Sequence, residues 1–260
     1  MNSEKNQKCQ NEKISLLDEK LPLLELELAS PTQEILTYFK NAKGLHISNP
    51  ILKKKCKNNN IISIFFGSRC DGLKYFYGME SIKKLQFSCL SYCHNDQIID
   101  DQIIDDQVID DQVIDDMFLK FPNLETLYIH TDYCLTGEVF PKMKKLKKIS
   151  INQCNNINFK YLEELNQIEE LTLVWSELDD NVLEKILSLS KIKKLSLICC
   201  ENITENAFSK IDSSLIELIE FECCSSIQMQ KLPIILNKFE LNTTFDNHNG
   251  VDKLIFTKIN

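Results

Sequence analysis

The stretches Ile168-Glu-Glu-Leu171-Thr-Leu173 and Ile192-Lys-Lys-Leu195-Ser-Leu197 are two copies of one pattern, with apolar residues at its first, fourth and sixth positions. Three more copies are Leu124/Leu127/Ile129, Leu146/Ile149/Ile151 and Ile216/Ile219/Phe221. The fourth-position residues stand at 127, 149, 171, 195 and 219, which is a nearly constant spacing. Because alternate strand residues share a face, each copy predicts a short strand with one apolar side.

Weaker copies of the pattern lie on both sides of these five. They are Leu23/Leu26/Leu28, Ala42/Leu45/Ile47, Ile62/Ile64, Ile82/Leu85/Phe87, Leu236/Phe239/Leu241 and Val251/Leu254/Phe256. The sequence thus predicts eleven repeats of strand plus return segment, although the steps from 45 to 62 and from 239 to 254 are shorter than the others. Neighbouring repeats would stack in parallel, because a single repeat cannot bury its apolar side alone.

The return segments carry apolar residues at helical spacing, as in Asp179–Ser188, where Asp179 or Asp180 is a candidate N-cap. We therefore predict an α/β solenoid, or horseshoe, over residues 21–260, with a parallel β-sheet on its concave face and helices on its convex face. Residues 1–20 would be a polar segment or cap. The alternative, a helical bundle or doubly wound fold, needs longer crossings than strands at this period allow.

Cysteines follow several strands at a fixed distance. Ile151 is followed by Cys154, Leu197 by Cys200 and Phe221 by Cys224, and Ile203-Thr-Glu-Asn-Ala-Phe208 follows one of them. From residue 79 to 226 this pattern resembles the cysteine-containing subclass of leucine-rich repeats, found beside F-boxes in ubiquitin-ligase adaptors and in stand-alone regulators. The departures are Ser176 and Asp132, which stand where the pattern has cysteine.

The resemblance implies that Cys154, Cys200 and Cys224 form an internal ladder under the turns that follow the strands, with Cys199 and Cys223 near the concave rim. It also implies an alternative function, a substrate-recognition subunit of an SCF-type ubiquitin ligase that binds a Skp1-like protein. An F-box needs a helical segment of its own before the repeats, whereas the repeat pattern here begins at Leu23. The F-box is therefore expected to be divergent or absent.

Residues 97–116 read QIIDD, QIIDD, QVIDD, QVIDD, and they lie within a step from Leu85 to Leu127 that is nearly twice the period. Removing three copies restores a step close to the period, and Ile114-Asp-Asp-Met-Phe118 then fits a helix opening, so we infer an expansion by three copies. Its eight aspartates equal the net charge of −8 in magnitude. We expect a solvated acidic insertion; an acidic docking segment for a basic partner is the alternative.

The composition is 43 % apolar and 26 % charged, which is typical of a soluble globular protein. Residues 1–13 are polar, and no segment is apolar enough for a signal peptide or a membrane span, so no membrane association is expected. The eleven cysteines are odd in number, which favours reduced thiols over a disulfide framework. We predict an intracellular, cytoplasmic protein, with the nucleus as the alternative.

Nothing in the sequence indicates catalysis. The four histidines stand in no catalytic or zinc-protease spacing, and no Gly-rich phosphate loop is present, so we predict neither an enzyme nor a cofactor. A metal site from Cys89, Cys93, His94, His130 and Cys134 is a weaker hypothesis, because its spacing is not a zinc signature. The basic run 142–148 predicts a solvated face, and no nucleic-acid partner is expected.

Outward strand residues can vary without altering the fold, so they are the expected partner-binding strip. The candidates are Tyr128, His130, Asn152, Val174, Trp175 and Ile198. A Trp with apolar neighbours on a polar face is typical of a binding hot spot; the alternative is that Trp175 covers a repeat edge. The sequence thus predicts a non-catalytic protein-protein interaction scaffold.

Overall fold

A computed structural model of the chain describes residues 25–28, 43–47, 56, 60–66, 73–87, 111–130, 135–154, 156–189, 191–209, 211, 215–228, 231–246 and 251–259. Residues 1–20 and most of the acidic insertion lie outside this part of the chain. Two compact units are present. Unit 1 is Met1–Asp110 with Lys120–Leu124, and unit 2 is Asp111–Leu119 with Glu125–Asn260.

Unit 1 contains four short parallel strands that pair in chain order. They are β1 (Glu25–Leu28), β2 (Gly44–Ile47), β3 (Ser63–Phe66) and β4 (Lys84–Phe87). The predicted pattern Ile62/Ile64 is shifted: Leu45 pairs with Ile64, and Ile61 is fully buried while Ile62 is 38 % exposed. The step therefore runs from residue 45 to residue 64 rather than to residue 62, because Ile61/Ile64/Phe66 supplies the three apolar positions.

Unit 2 contains five parallel strands in register, as the period predicts. They are β5 (Thr126–His130), β6 (Lys148–Asn152), β7 (Glu170–Val174), β8 (Lys194–Ile198) and β9 (Leu218–Glu222). The inward residues at the fourth pattern position pair in a row and are almost fully buried: Leu127, Ile149, Leu171, Leu195 and Ile219. Burial of each such side chain stabilises the fold by about 2 kcal/mol before entropy is subtracted.

The last two strands of unit 2, β10 (Phe239–Asp246) and β11 (Val251–Lys258), form an antiparallel hairpin. β11 also pairs antiparallel with β9. The prediction of two further parallel repeats here is therefore wrong. Only the short segment 247–250 separates the two strands, whereas a parallel crossover needs about a dozen residues or more.

Several successive repeats are joined by one backbone carbonyl that precedes the strand, which we call the entry carbonyl. The oxygen of Glu125 accepts from the amides of Lys147 (2.8 Å) and Lys148 (3.0 Å). The oxygen of Lys147 accepts in the same way from Glu169 (2.8 Å) and Glu170 (3.1 Å). The device recurs at Glu169 and Lys193 in unit 2 and at Lys43 and Ile62 in unit 1.

The return segments are helical but short. The α-helices are Asp111–Phe118, Asp180–Leu189 and Leu232–Ile235, and the 3-10 helices are Leu73–Phe76, Phe140–Lys142, Phe159–Glu164 and Glu205–Phe208. A 3-10 helix covers more length per residue than an α-helix, which suits the short repeats. Asp179 caps the helix Asp180–Leu189, since its Oδ1 accepts from the Val182 amide at 2.9 Å.

Parallel strands in register, with a short helical return segment after each of β5 to β9, confirm the predicted α/β leucine-rich-repeat solenoid. The helix Asp111–Phe118 covers the fourth acidic copy, whose Asp115 is buried. The expansion itself and the domain boundaries at 1–20 and 21–260 remain predictions.

Carboxylates in the return segments of unit 2 bond to the following return segment, which the sequence did not reveal. Asp115 accepts from Thr136 at its amide (3.1 Å) and its Oγ1 (2.8 Å). Asp180 accepts from Thr204 at the equivalent atoms. Burial raises the pKa of Asp115, although the Thr136 hydrogen bonds oppose that rise. These acids hold successive repeats in register on the side away from the sheet.

Glu205 has the same role one repeat later. Its side chain is only 6 % exposed and accepts from the Gln228 amide (3.2 Å) and from Lys231 Nζ (2.8 Å). The hydrogen bond with Lys231, with help from backbone amides, holds the pKa of Glu205 below its ordinary 4.5. Its contribution to stability is therefore present above pH 4.5 and is lost as the pH falls through the folded-state pKa.

We predict that Glu205→Gln destabilises the protein at pH 7, because the neutral amide loses the charge-assisted bond to Lys231. The difference from wild type should shrink as the pH falls below 4.5, where wild type loses the same charge. Urea unfolding between pH 7 and pH 3 measures this, with Glu201→Gln at an exposed site as the control. A difference that stays constant over that range would refute it.

We predict that Leu195→Asp lowers the free energy of unfolding by about 4 kcal/mol or more, because it places an unpaired charge in the core. Leu195 is 1 % exposed. The matched control is Thr172→Asp on the outward side of β7, which should cost far less. Chemical denaturation followed by circular dichroism measures both variants. Equal losses would contradict the assigned strand faces.

Candidate functional site

The outward side chains of β5 to β9 form one surface, which we call the sheet face and which the predicted solenoid presents as its concave side. Its middle row consists of half-buried residues that pair across the strands: Tyr128, Ser150, Thr172, Ser196 and Glu220. Three of these five carry small hydroxyl side chains. The middle of the sheet face is therefore lined by short polar side chains, with the phenol of Tyr128 at one end of the row and the carboxylate of Glu220 at the other.

The amino-terminal row of the sheet face is a set of ion pairs. Glu170 lies between Lys148 (2.7 Å) and Lys194 (4.0 Å). Just before the strands, Glu169 lies between Lys147 (3.8 Å) and Lys193 (3.0 Å), and the hydrogen bond from Lys193 lowers the pKa of Glu169. Two lysines of the basic run 142–148 are thus paired within the sheet, in keeping with its interpretation as a solvated face.

The carboxyl-terminal row holds four of the six predicted site residues. His130, Asn152, Val174 and Ile198 pair in register, followed by Glu222. His130 is exposed and the other three are half-buried. The register brings them together as the sequence predicts, whereas their binding role remains a prediction. Tyr128, the fifth candidate, lies in the middle row.

Trp175, the sixth candidate, lies just beyond β7 rather than on the strand. It belongs to a row of non-glycine residues with left-handed backbone, which we call the turn row: Gln153 (φ 54°), Trp175 (53°), Cys199 (52°) and Cys223 (53°). Their amides donate across the stack, Gln153 to Val174 O (3.0 Å), Trp175 to Ile198 O (2.9 Å) and Cys199 to Glu222 O (2.8 Å). These bonds hold a conformation that costs roughly 1–2 kcal/mol per residue.

The fixed backbone of the turn row determines where Trp175 lies. Trp175 is 53 % exposed and directly follows Val174 of the carboxyl-terminal row in the sequence. The expectation that Trp175 is a strand residue is therefore corrected: it stands at the edge of the sheet face. Sequence alone could not reveal this, because no glycine marks the left-handed position in any of the four turns.

Below the turn row lies a buried row of Cys154, Ser176, Cys200 and Cys224. Cys200 Sγ donates to Leu173 O and Ile198 O at 3.5 Å, and Cys224 Sγ donates to Leu197 O at 3.3 Å. The hydrogen bond with Cys224 and burial raise the pKa of Cys200. The thiols therefore act as small core groups with weak hydrogen bonds, which is the packing role that the resemblance implies.

The hypothesis of a metal site falls mostly outside the described residues, because Cys89, Cys93, His94 and Cys134 are not among them. Within the part of the chain that the structure describes, no three His, Cys, Asp or Glu side chains are grouped to hold a metal ion. Over the same residues, no helix has the length and apolarity to cross a membrane.

Among the solved structures that resemble this chain are two at 13 % identity. Internalin (inlF) from Listeria monocytogenes str. 4b F2365 matches with a TM-score of 0.39, covering 67 % of this chain and 46 % of that one. The TLR13-ssRNA13 complex matches with a TM-score of 0.42, covering 71 % of this chain and 28 % of that one. The chain thus spans less than half of either protein. No protein-family model and no curated protein matches it.

We predict that Gln153→Gly gives a more stable protein than Gln153→Ala, by roughly 0.5–1 kcal/mol. Both variants remove the same side chain, so they differ only in the Cβ atom that disfavours a φ of 54°. Thermal and urea unfolding measure the difference. In an ordinary strand or helix the order would be reversed, so a more stable Ala variant would contradict the left-handed assignment.

Proposed function

We propose that this protein is a non-catalytic scaffold of the cysteine-containing leucine-rich-repeat subclass, whose sheet face binds a partner protein. The observation that carries the proposal is that Trp175 is exposed while its backbone is held in place. The Trp175 amide donates to Ile198 O at 2.9 Å, and Val174 and Ile198 are half-buried. A large aromatic side chain on a fixed backbone loses little entropy when a partner covers it.

The rows of the sheet face support a mode of binding for that partner. The hydroxyls of Ser150, Thr172 and Ser196 allow a partner to approach closely and can donate or accept hydrogen bonds. The Lys and Glu row at the amino ends offers alternating charge, which orients a partner more than it adds affinity. Apolar side chains of the partner would contact the Trp175 edge.

The test is photo-crosslinking in cells from which the protein comes. A photoreactive amino acid at Ser196, on the sheet face, should cross-link one discrete partner protein. The matched position is Asn181, which is exposed on the helix Asp180–Leu189 and should give no such product. A product from Asn181 but not from Ser196 would overturn the proposal.

Alanine variants then locate the contact. Trp175→Ala and Tyr128→Ala should each reduce the yield of the Ser196 cross-link about tenfold or more while changing unfolding little. Lys160→Ala, at an exposed position of the return segments, is the control. If binding and stability fall together, the two aromatic residues are structural, and Trp175 covers a repeat edge instead.

The alternative function is a substrate-recognition subunit of an SCF-type ubiquitin ligase. The observation behind it is the cysteine spacing at Cys154, Cys200 and Cys224, which is typical of repeats found beside F-boxes. Most of residues 1–40, where an F-box would begin, lies outside the described residues. Co-purification of a Skp1-like protein that is lost when residues 1–40 are deleted would favour this alternative.

The proposal includes a cytoplasmic, reducing environment. In its support, the six cysteines of the described residues are free thiols, at Cys56, Cys154, Cys199, Cys200, Cys223 and Cys224. Disulfides are rare in reducing compartments. In an oxidising environment, Cys199 and Cys223 would be the first of these thiols to be oxidised, because they are the two that are not buried.

A further inference from the structure

The strand β10 lies at the end of the sheet and, among the described residues, pairs only with β11. It has eight residues, whereas each of the parallel strands has four or five. A strand at the edge of a sheet presents backbone amides and carbonyls to which another strand can bond. The outer edge of β10 is therefore a surface where a further strand can add.

Hydrogen bonds near the base of the hairpin show which backbone groups of β10 point away from β11. Lys238 O accepts from the Ile259 amide at 3.0 Å, so the carbonyl of Lys238 points toward β11. The next residue, Phe239, opposes Lys258, whose amide donates instead to Glu217 O on the β9 side. The backbone groups of Phe239 therefore point away from β11, and because this direction alternates along an antiparallel strand, the same holds for every second residue after it.

Leu241 is an exposed apolar residue on this outer edge. It stands two residues after Phe239, so both its amide and its carbonyl point toward the position of a further strand. Leu241 belongs to the inward side of the sheet, because it opposes the fully buried Phe256, yet it is 40 % exposed. Its neighbours Glu240 and Asn242, on the outward side, are exposed as well. The edge thus combines backbone groups, an apolar side chain and a carboxylate.

We propose that this edge binds a second copy of the chain, with the two β10 strands antiparallel about a twofold axis at Leu241. In that register the Leu241 amide of each copy donates to the Leu241 carbonyl of the other, and the two leucines share the inward side. Glu240 opposes Asn242 of the second copy, so that a carboxylate faces an amide that can donate to it. An axis at Glu240 would set two carboxylates opposite each other, which disfavours that register.

The self-complementary register favours a second copy over an unrelated strand. A twofold axis brings the same patch of both copies together, so each favourable pair occurs twice. The Thr243 amide of one copy can donate to Phe239 O of the other, while the Phe239 amide already donates to Leu236 O at 3.0 Å within its own chain. Because the axis is perpendicular to the sheet, both sheet faces lie on the same side of the dimer. Only this last consequence, two partner sites on one side, rests on the proposed function.

The test is sedimentation equilibrium of the full chain over a range of concentrations, where wild type should show a monomer–dimer equilibrium. Asn242→Lys places an ammonium group opposite Glu240 of the other copy and should tighten the dimer about threefold or more. Asn242→Asp places a second carboxylate there and should weaken the dimer by a similar factor. The same two changes at Asn181, which is exposed on the helix Asp180–Leu189, are the control and should leave the dimer unchanged.

Leu241→Pro tests the backbone bond at the axis. It removes an amide that points away from β11, so the hairpin keeps its own bonds while the dimer should weaken about tenfold or more. Circular dichroism checks the folding of each variant, and if the proline variant does not fold, the two changes at Asn242 decide.

A chain that stays monomeric at every concentration, also as Asn242→Lys, overturns the proposal. So does a dimer that none of these changes affects, and so does an edge that binds only an extended segment of a different protein. None of these outcomes bears on partner binding at the sheet face, which the cross-link tests separately.

Discussion

The entry carbonyl is the interaction on which the rest of unit 2 depends. One oxygen before each of the strands β5 to β8 accepts two amides from the next repeat, at 2.8–3.1 Å, so neighbouring strands begin at the same level. A slip by one residue would turn every inward leucine or isoleucine outward and every outward lysine or glutamate inward. Register, burial and the order of the outward rows are therefore fixed together, and the same device operates in unit 1.

Because register is fixed by backbone atoms and inward side chains, the outward positions are free to carry other chemistry. The turn row illustrates this: Gln153, Trp175, Cys199 and Cys223 share nearly the same φ, whereas amide, indole and thiol side chains differ in size and polarity. An aromatic anchor and a thiol pair can thus stand side by side on one edge. The partner site that we propose makes use of this repeated geometry.

The regular period was sufficient to predict β5 to β9, because buried side chains impose the alternation that the sequence displays. At Ile61 and Ile62, the sequence did not show which of the two adjacent isoleucines faces the core, and only the strand register resolved this. The paired antiparallel strands at the end also alternate apolar residues, so periodicity could not give their direction. Of the candidate site, strand residues such as Val174 and Ile198 were predictable, whereas Trp175 depended on a left-handed turn without glycine.

The reversed hairpin has a consequence for assembly. A stack of identical repeats has a growing end, where the strand of another molecule could add in parallel and extend the array without limit. At this end β11 runs against β9, and β10 runs against β11, so the ladder changes from evenly spaced, slanted bonds to alternating narrow and wide pairs. Two reversals bring β10 back to the direction of β9, but the carbonyls before these two strands are already used within the chain: Glu217 O accepts from the Lys258 amide (2.9 Å) and Lys238 O from the Ile259 amide (3.0 Å). Within the described residues, the hairpin thus takes up the carbonyls that would otherwise join a further parallel repeat.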